Sequence, residues 1–298
     1  MDAFLFEQES RRYRFSTDDP RTGSSELAIG LWRLTRTTRL MGLLSPAQEF
    51  RMPCLICRDS KTIKAHLIPK AFAREVQVGK AHAVVRDSGE YADTQSGIWD
   101  RDILCRDCDN TIGKWEGGAK QSLDALRADA AGKPEGIHRL AGTRGDDIIR
   151  FLAALLWKYA STKPALGRIQ LGPYRAILED ISFRGTPIHS SVNAVGFRLR
   201  REQGDDGVFA YRAPQFDRKS GINMVRLMVG GVVFFVKLDQ RVPSDAIFRE
   251  GGMAGQTDLP YWLAPAPMFE EFTRGRDLAN RGELSLFLDR QAGLEPSK

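Results

Sequence analysis

Cysteine is scarce in this chain, and lysine is missing from its first sixty residues. Among 298 residues there are four cysteines and four histidines. No cysteine lies outside two short pairs, so there is no disulfide framework to read. No lysine precedes Lys61. Met1 to Ser10 carry acids and no basic n-region, so we expect no secretory signal peptide. Long apolar runs are lacking as well. The longest, Met228 to Val236, contains two glycines and is far too short to span a bilayer. We therefore expect a cytoplasmic protein without a membrane partner. Thiols stay reduced there, which favours metal over disulfides. Neither sign of charge is in large excess. The net +6 permits nucleic-acid binding without requiring it. No segment repeats.

What is present gathers between Cys54 and Glu116. The cysteines form two identical spacings, Cys54-Leu55-Ile56-Cys57 and Cys105-Arg106-Asp107-Cys108. Each C-x-x-C turn brings two sulfurs to one ion, and four thiolates suit a tetrahedral structural Zn²⁺. A redox dithiol needs one such pair, not two. The segment between the pairs exceeds the roughly 15–20 residues of a compact ribbon, so it carries structure of its own. A treble-clef finger meets this demand. It has one knuckle, a hairpin region, and a second pair at a helix N-terminus, whose dipole faces the thiolates.

Residues 1–50 read as an N-terminal arm. Arg11-Arg12-Tyr13-Arg14 and Arg33 to Arg39 mix bases with apolar and hydroxyl residues, and Asp18 to Ser25 is loop-like. The arm either touches phosphates or is a solvated leader, with Met41 and Met52 as alternative starts. Ala71 to Val78 predicts a short helix opened by Pro69, and Ala81 to Val85 a strand. A further helix is expected to begin at Asp109 or Asn110, with Asp109 as a fitting cap. Gly117-Gly118 interrupts the pattern, and Gln121 to Ala131 is then a second helix or the continuation of the first. Gly132-Lys133-Pro134-Glu135-Gly136 is the clearest break and divides a zinc domain, 51–132, from a C-terminal domain, 137–298.

Asp146 to Ala160 places apolar residues at helical spacing behind Gly145 or Asp146 as cap. Pro173 opens another helix that runs to Phe183. Val192 to Arg200, Val208 to Arg212, Met224 to Met228 and Val232 to Leu238 are β-rich, with Gly230-Gly231 as a hairpin turn. Pro260 to Leu288 reads as helix and loop. The expected fold class is α+β: a treble-clef zinc domain, then a helical and antiparallel-β domain. His138 and His189 have no neighbours with which to make a site.

Ala65-His66-Leu67-Ile68-Pro69-Lys70-Ala71-Phe72, Ile103-Leu104-Cys105-Arg106-Asp107-Cys108-Asp109 and Lys114-Trp115-Glu116 together carry a resemblance. Residues 54–116 resemble the zinc-stabilised branch of the HNH (His-Me finger) endonucleases. The resemblance implies a ββα-metal finger that hydrolyses phosphodiesters with Mg²⁺ or Mn²⁺, beside the structural Zn²⁺. His66 matches the general base. Asp109 falls where the family places a metal ligand, directly after the second cysteine pair. Glu116 lies two helical turns on, along the same face. Asp100 stands where active members often carry the middle Asn. Ala65 occupies the place of a metal-binding Asp, and Asp109 that of a His.

Lys61, Lys64, Lys70 and Arg74 surround the histidine, either to hold phosphates or as a solvated face. The implied partner is nucleic acid, DNA before RNA, in defence or mobile-element biology. The alternative is a non-catalytic zinc module that binds nucleic acid or a protein. In a third reading the C-terminal domain carries the main activity.

Overall fold

The computed structural model describes residues 53–58, 61–77, 82–85, 91–94, 97–201, 207–208 and 210–280, which belong to one compact unit. The expected N-terminal arm, Met41 and Met52 lie outside the described residues.

Two short antiparallel ribbons precede the first long helix. One pairs β1 (Ala65–His66) with β4 (Trp99–Asp100), in the register Ala65↔Asp100 and His66↔Trp99. Between these strands come α1 (Lys70–Glu75) and the ribbon of β2 (His82–Val85) with β3 (Tyr91–Thr94). Pro69 sits immediately before α1, where its fixed φ suits a helix start.

The long helix α2 runs from Arg106 to Ala130 without a break. Gly117 and Gly118 lie inside it, where glycine costs about 1 kcal/mol per residue relative to alanine. Tertiary packing overrides that cost. Cys108, Ile112, Ala119, Leu123, Leu126 and Ala130 form one buried stripe at helical spacing. The cap differs from the expected one as well. Cys105 is the N-cap, and Asp109 is already four residues inside, its N–H bonded to the Cys105 carbonyl at 3.0 Å.

After α2 the chain turns into β5 (Gly136–Leu140) and then α3 (Gly145–Ser161). From Ile148 to Tyr159 only Arg150 escapes full burial. Next come α4 (Tyr174–Glu179), extended by a π turn over Asp180–Arg184, and then β6 (Val192–Arg200), β7 (Arg212–Lys219), β8 (Ile222–Val229) and β9 (Val232–Leu238). The described chain ends with α5 (Ala246–Gly251), β10 (Leu259–Pro265) and α6 (Glu270–Asn280).

Six strands form one mixed sheet in the order β5-β10-β6-β9-β8-β7. Every pairing is antiparallel except β10 on β6. Gly230 and Gly231 have φ of 59° and 74°, as a two-residue I′ hairpin turn between β8 and β9 requires.

Strand alternation sorts the sheet into two faces. Val192, Ala194, Val225, Leu227, Val232, Phe234 and Val236 pack with α2 and α3. Val195, Phe197, Leu199, Met224, Val233 and Phe235 pack with Phe248 of α5 and with Phe269. Both faces are covered, so all of β9 is buried. The first of these clusters runs from Cys54 to Leu263 without interruption. The expected boundary at 132–136 is therefore corrected: it is a turn inside one core, because α3 packs on both flanking parts.

Three strand expectations also differ. Val208 to Arg212 gives way to β7, an edge strand carrying Pro214 and a bulge between Arg212 and Gln215. Leu259 to Pro265 is an internal strand where helix and loop were expected. The edge strand β5 was not anticipated.

Candidate metal centre and candidate active site

Main-chain bonds bring the two cysteine pairs together. Leu55 N–H donates to the Ile103 carbonyl at 3.0 Å, and Ile63 N–H to the Leu104 carbonyl at 2.9 Å. Thr62 bridges Cys105. The first knuckle closes on itself through Arg58 N–H to the Cys54 carbonyl, with Arg58 in the left-handed region at φ 66°. The second pair straddles the start of α2, with Cys105 as cap and Cys108 one turn in.

The four sulfurs lie within 4.8 Å of one another, and none is in a disulfide. Cys57 and Cys105 are 3.5 Å apart, sulfur to sulfur. Ligands about 2.3 Å from one tetrahedral Zn²⁺ sit about 3.8 Å from each other, so these side chains can hold a single metal ion.

The electrostatics agree. Burial pushes the Cys54 thiol up, but N–H groups of Cys105, Cys57 and Ile56 and the Cys57 thiol outweigh it and bring it down to about 7. Burial pushes the Cys108 thiol up, and the other three sulfurs add to the rise. Four thiolates this close repel one another, and a divalent cation is what lets all of them ionise.

The second feature lies around His66. Its main chain is fixed by β4, and Leu67 N–H donates to the Ile98 carbonyl at 3.0 Å. Phe72 of α1 packs on Phe151 of α3, their ring centroids 5.4 Å apart. About two helical turns further along α3 lies Lys158, only 1% exposed. Its Nζ donates to the His66 carbonyl at 2.6 Å and to Glu116 Oε1 at 2.6 Å. Asp109 feels both charges. Burial pushes its carboxyl up, Lys158 draws it down and Glu116 raises it. Asp109 and Glu116, the His66 main chain and Lys158 thus share one neighbourhood, and a residue from the far half of the chain joins them.

Asp100 is used differently. It is buried, and its Oδ2 accepts from Thr162 Oγ1 at 2.6 Å and Lys163 N–H at 3.2 Å. Its Oδ1 accepts from Asp102 N–H at 2.9 Å. That carboxylate ties β4 to the end of α3. Lys61, Lys64, Lys70 and Arg74 are all exposed. Lys64 lies over the Trp99 ring, 4.6 Å from its centroid. Glu75 pairs with Lys120 and Arg127 of α2, which pins α1. His138 Nε2 is 2.8 Å from the Pro134 carbonyl, and His189 Nδ1 is 2.8 Å from Ser191 Oγ, both local contacts.

Among the described residues, the four cysteines are the one group of three or more His, Cys, Asp or Glu side chains close enough to hold a metal ion. Lys158 escaped the sequence reading. Its one signal is a lysine between Trp157 and Tyr159 in the apolar run that follows Arg150. Compared with known protein families, curated proteins and solved structures, the chain matches none. No helix among the described residues is long and apolar enough to cross a membrane.

Proposed function

We propose that the chain is a metal-dependent endonuclease that hydrolyses nucleic-acid phosphodiesters, DNA in preference to RNA. Its site would stand on a treble-clef, ββα-metal finger held by Zn²⁺ on Cys54, Cys57, Cys105 and Cys108. The order of a knuckle, the β1–β4 ribbon and a helix capped by the second pair supports that finger. The observation that carries the reading is the Lys158 bridge between the His66 carbonyl and Glu116, with Asp109 beside it. A purely structural finger has no need to bury an ammonium between its histidine main chain and two half-buried carboxylates.

In this mechanism the His66 imidazole takes a proton from water, and the hydroxide attacks phosphorus. The bond to the leaving oxygen breaks, and that oxygen takes a proton from solvent. A bound Mg²⁺ would neutralise charge on the phosphate and the leaving oxygen. Asp109 and Glu116 Oε2 would hold it. Two nearby carboxylates served by one lysine leave negative charge uncompensated, and Mg²⁺ is commonly held by one or two carboxylates with water and phosphate completing its shell. Asp100 keeps its structural bonds and takes no step.

The test compares wild type with His66→Ala on plasmid, single-stranded DNA and RNA, across Mg²⁺ and Mn²⁺. His66→Ala should lose a factor of about 10² or more in rate with unchanged zinc content. Equal cutting by both proteins, or none by a zinc-replete wild type, ends the enzyme reading. The rival reading is a non-catalytic zinc module that binds nucleic acid or protein. It is favoured by Lys158 already occupying one Glu116 oxygen. Mn²⁺ binding at a second site, measured in zinc-loaded protein, separates the two.

A further inference from the structure

The β1–β4 ribbon has one covered face and one open face. Ala65 and Asp100 are paired and buried. Their flanking neighbours alternate outward, as strand geometry requires. Lys64 and Arg101 are exposed, and His66 and Trp99 are half-buried. Directly paired residues share a face, so Trp99 stands beside His66. Both cations fold onto the indole, Lys64 Nζ at 4.6 Å and Arg101 Cζ at 5.2 Å from the ring centroid. Neither is paired with a carboxylate among the described residues. The face therefore carries two uncompensated positive charges around one large aromatic ring.

We propose that this face binds an unpaired strand of nucleic acid, with phosphates on Lys64 and Arg101 and a base stacked on Trp99. The inference rests on the nuclease reading for the location of the site, and it deepens that reading by naming a single-stranded substrate. Charge complementarity selects the phosphate backbone. The aromatic ring selects an accessible base, since a duplex keeps its bases stacked inside. The resting cation–π contacts do not block this. At an exposed site such a contact holds a side chain by a factor of only about 2–5. A base stacked on an aromatic side chain contributes about 5- to 150-fold in affinity, and each released cation gains a phosphate. A strand laid there would pass His66.

The experiment measures binding of a fluorescent 20-nucleotide single strand, as DNA and as RNA, by anisotropy, with a duplex of the same sequence alongside. It uses the full chain with zinc bound and no added Mg²⁺ or Mn²⁺, so nothing is cut. Trp99→Ala should weaken single-strand binding about 5- to 150-fold, and Trp99→Phe much less. Lys64→Ala and Arg101→Ala, both at exposed positions, should each flatten the log–log salt dependence by about 0.7. If Trp99→Ala proves unstable, the two cation variants decide. The proposal is overturned if the wild type binds no single strand, if it binds duplex as tightly, or if folded variants bind like wild type. Binding that follows the expected pattern without any cleavage in the separate assay would remove the nuclease reading and leave this surface standing.

Discussion

Replacing Lys158 with methionine tests the most consequential contact in the molecule. The side chain is 1% exposed and ties three parts of the chain together: α3, the His66 main chain and Glu116 on α2. Methionine preserves the apolar stem and its packing while removing the ammonium. Two charge-assisted hydrogen bonds disappear, each worth about 1.5–3 kcal/mol. Glu116 is left without its partner, but its side chain is 22% exposed and can recover water. The desolvation cost of the buried lysine is also relieved, and such relief can cancel much of the loss. The net expectation is a destabilisation of about 2–4 kcal/mol, below the 3–5 typical when a fully buried pair is broken. At about 2–4 °C per kcal/mol for a unit of this size, Tm should fall by about 4–16 °C. Circular-dichroism melting of zinc-loaded protein reads this directly. The double variant Lys158→Met/Glu116→Gln should recover about 1–3 kcal/mol relative to additivity. A Lys158→Met protein as stable as wild type, or a double variant with strictly additive effects, would refute the bridge as drawn.

Three other outcomes follow from the same structure. Cys105→Ser removes a candidate metal ligand and the cap of α2 together, so it should abolish stoichiometric zinc and unfold the region around the cysteine cluster; full zinc content by atomic absorption would contradict the site. Gly145→Ala would place its Cβ 2.1 Å from the Met253 carbonyl oxygen, and the Gly145 N–H bond to the Gln256 carbonyl leaves the backbone little room to move. It should lower Tm by about 5 °C or more, and an unchanged melt would show that this contact gives way. Asp239 is held well below the usual carboxylate range by the Arg241 guanidinium and by N–H groups of Asn223 and Arg241. Its folded value lies below the unfolded one, so its stabilisation is present above about pH 4 and lost as pH falls through the folded value. Asp239→Asn should therefore melt a few degrees lower at pH 7, with the gap closing below about pH 4. A gap that ignores pH would mean the charge is not what matters.

Local signals in the sequence reached some elements and stopped at others for physical reasons. The apolar spacing of α3, the alternation of β6 and β9 and the Gly230-Gly231 turn were legible because each is specified within a few residues. Gly117-Gly118 left a second helix or a continuation open, and burial of Leu123 and Leu126 carries the one helix through. The strand β10 was hidden by Pro260 and Pro265. Pro265 falls at its end, and the other proline lies in a strand whose identity comes from pairing β6 and β5, more than 60 and 110 residues away in sequence. For β7, Pro214 and a polar alternation mask an edge strand that needs only β8 beside it.

The candidate site divides in the same way. Short spacings made the cysteine cluster legible, since each pair is one turn and only the approach of the two turns is non-local. Lys158 is 92 residues from His66 and 42 from Glu116, and no spacing rule joins positions so far apart. Yet a lysine inside the most buried helix of the protein requires a partner, because an unpaired ammonium there costs several kcal/mol. The only carboxylate it pairs with among the described residues is the Glu116 that the motif had already singled out. The expected division at 132–136 could not survive such a contact. Residues 53–132 taken alone would leave Glu116 and the His66 carbonyl without Lys158, and α3 would carry an unanswered charge in its core. Lys158 ties the region around the cysteine cluster to α3 within one core, and it makes the geometry around His66 depend on a helix outside residues 54–116.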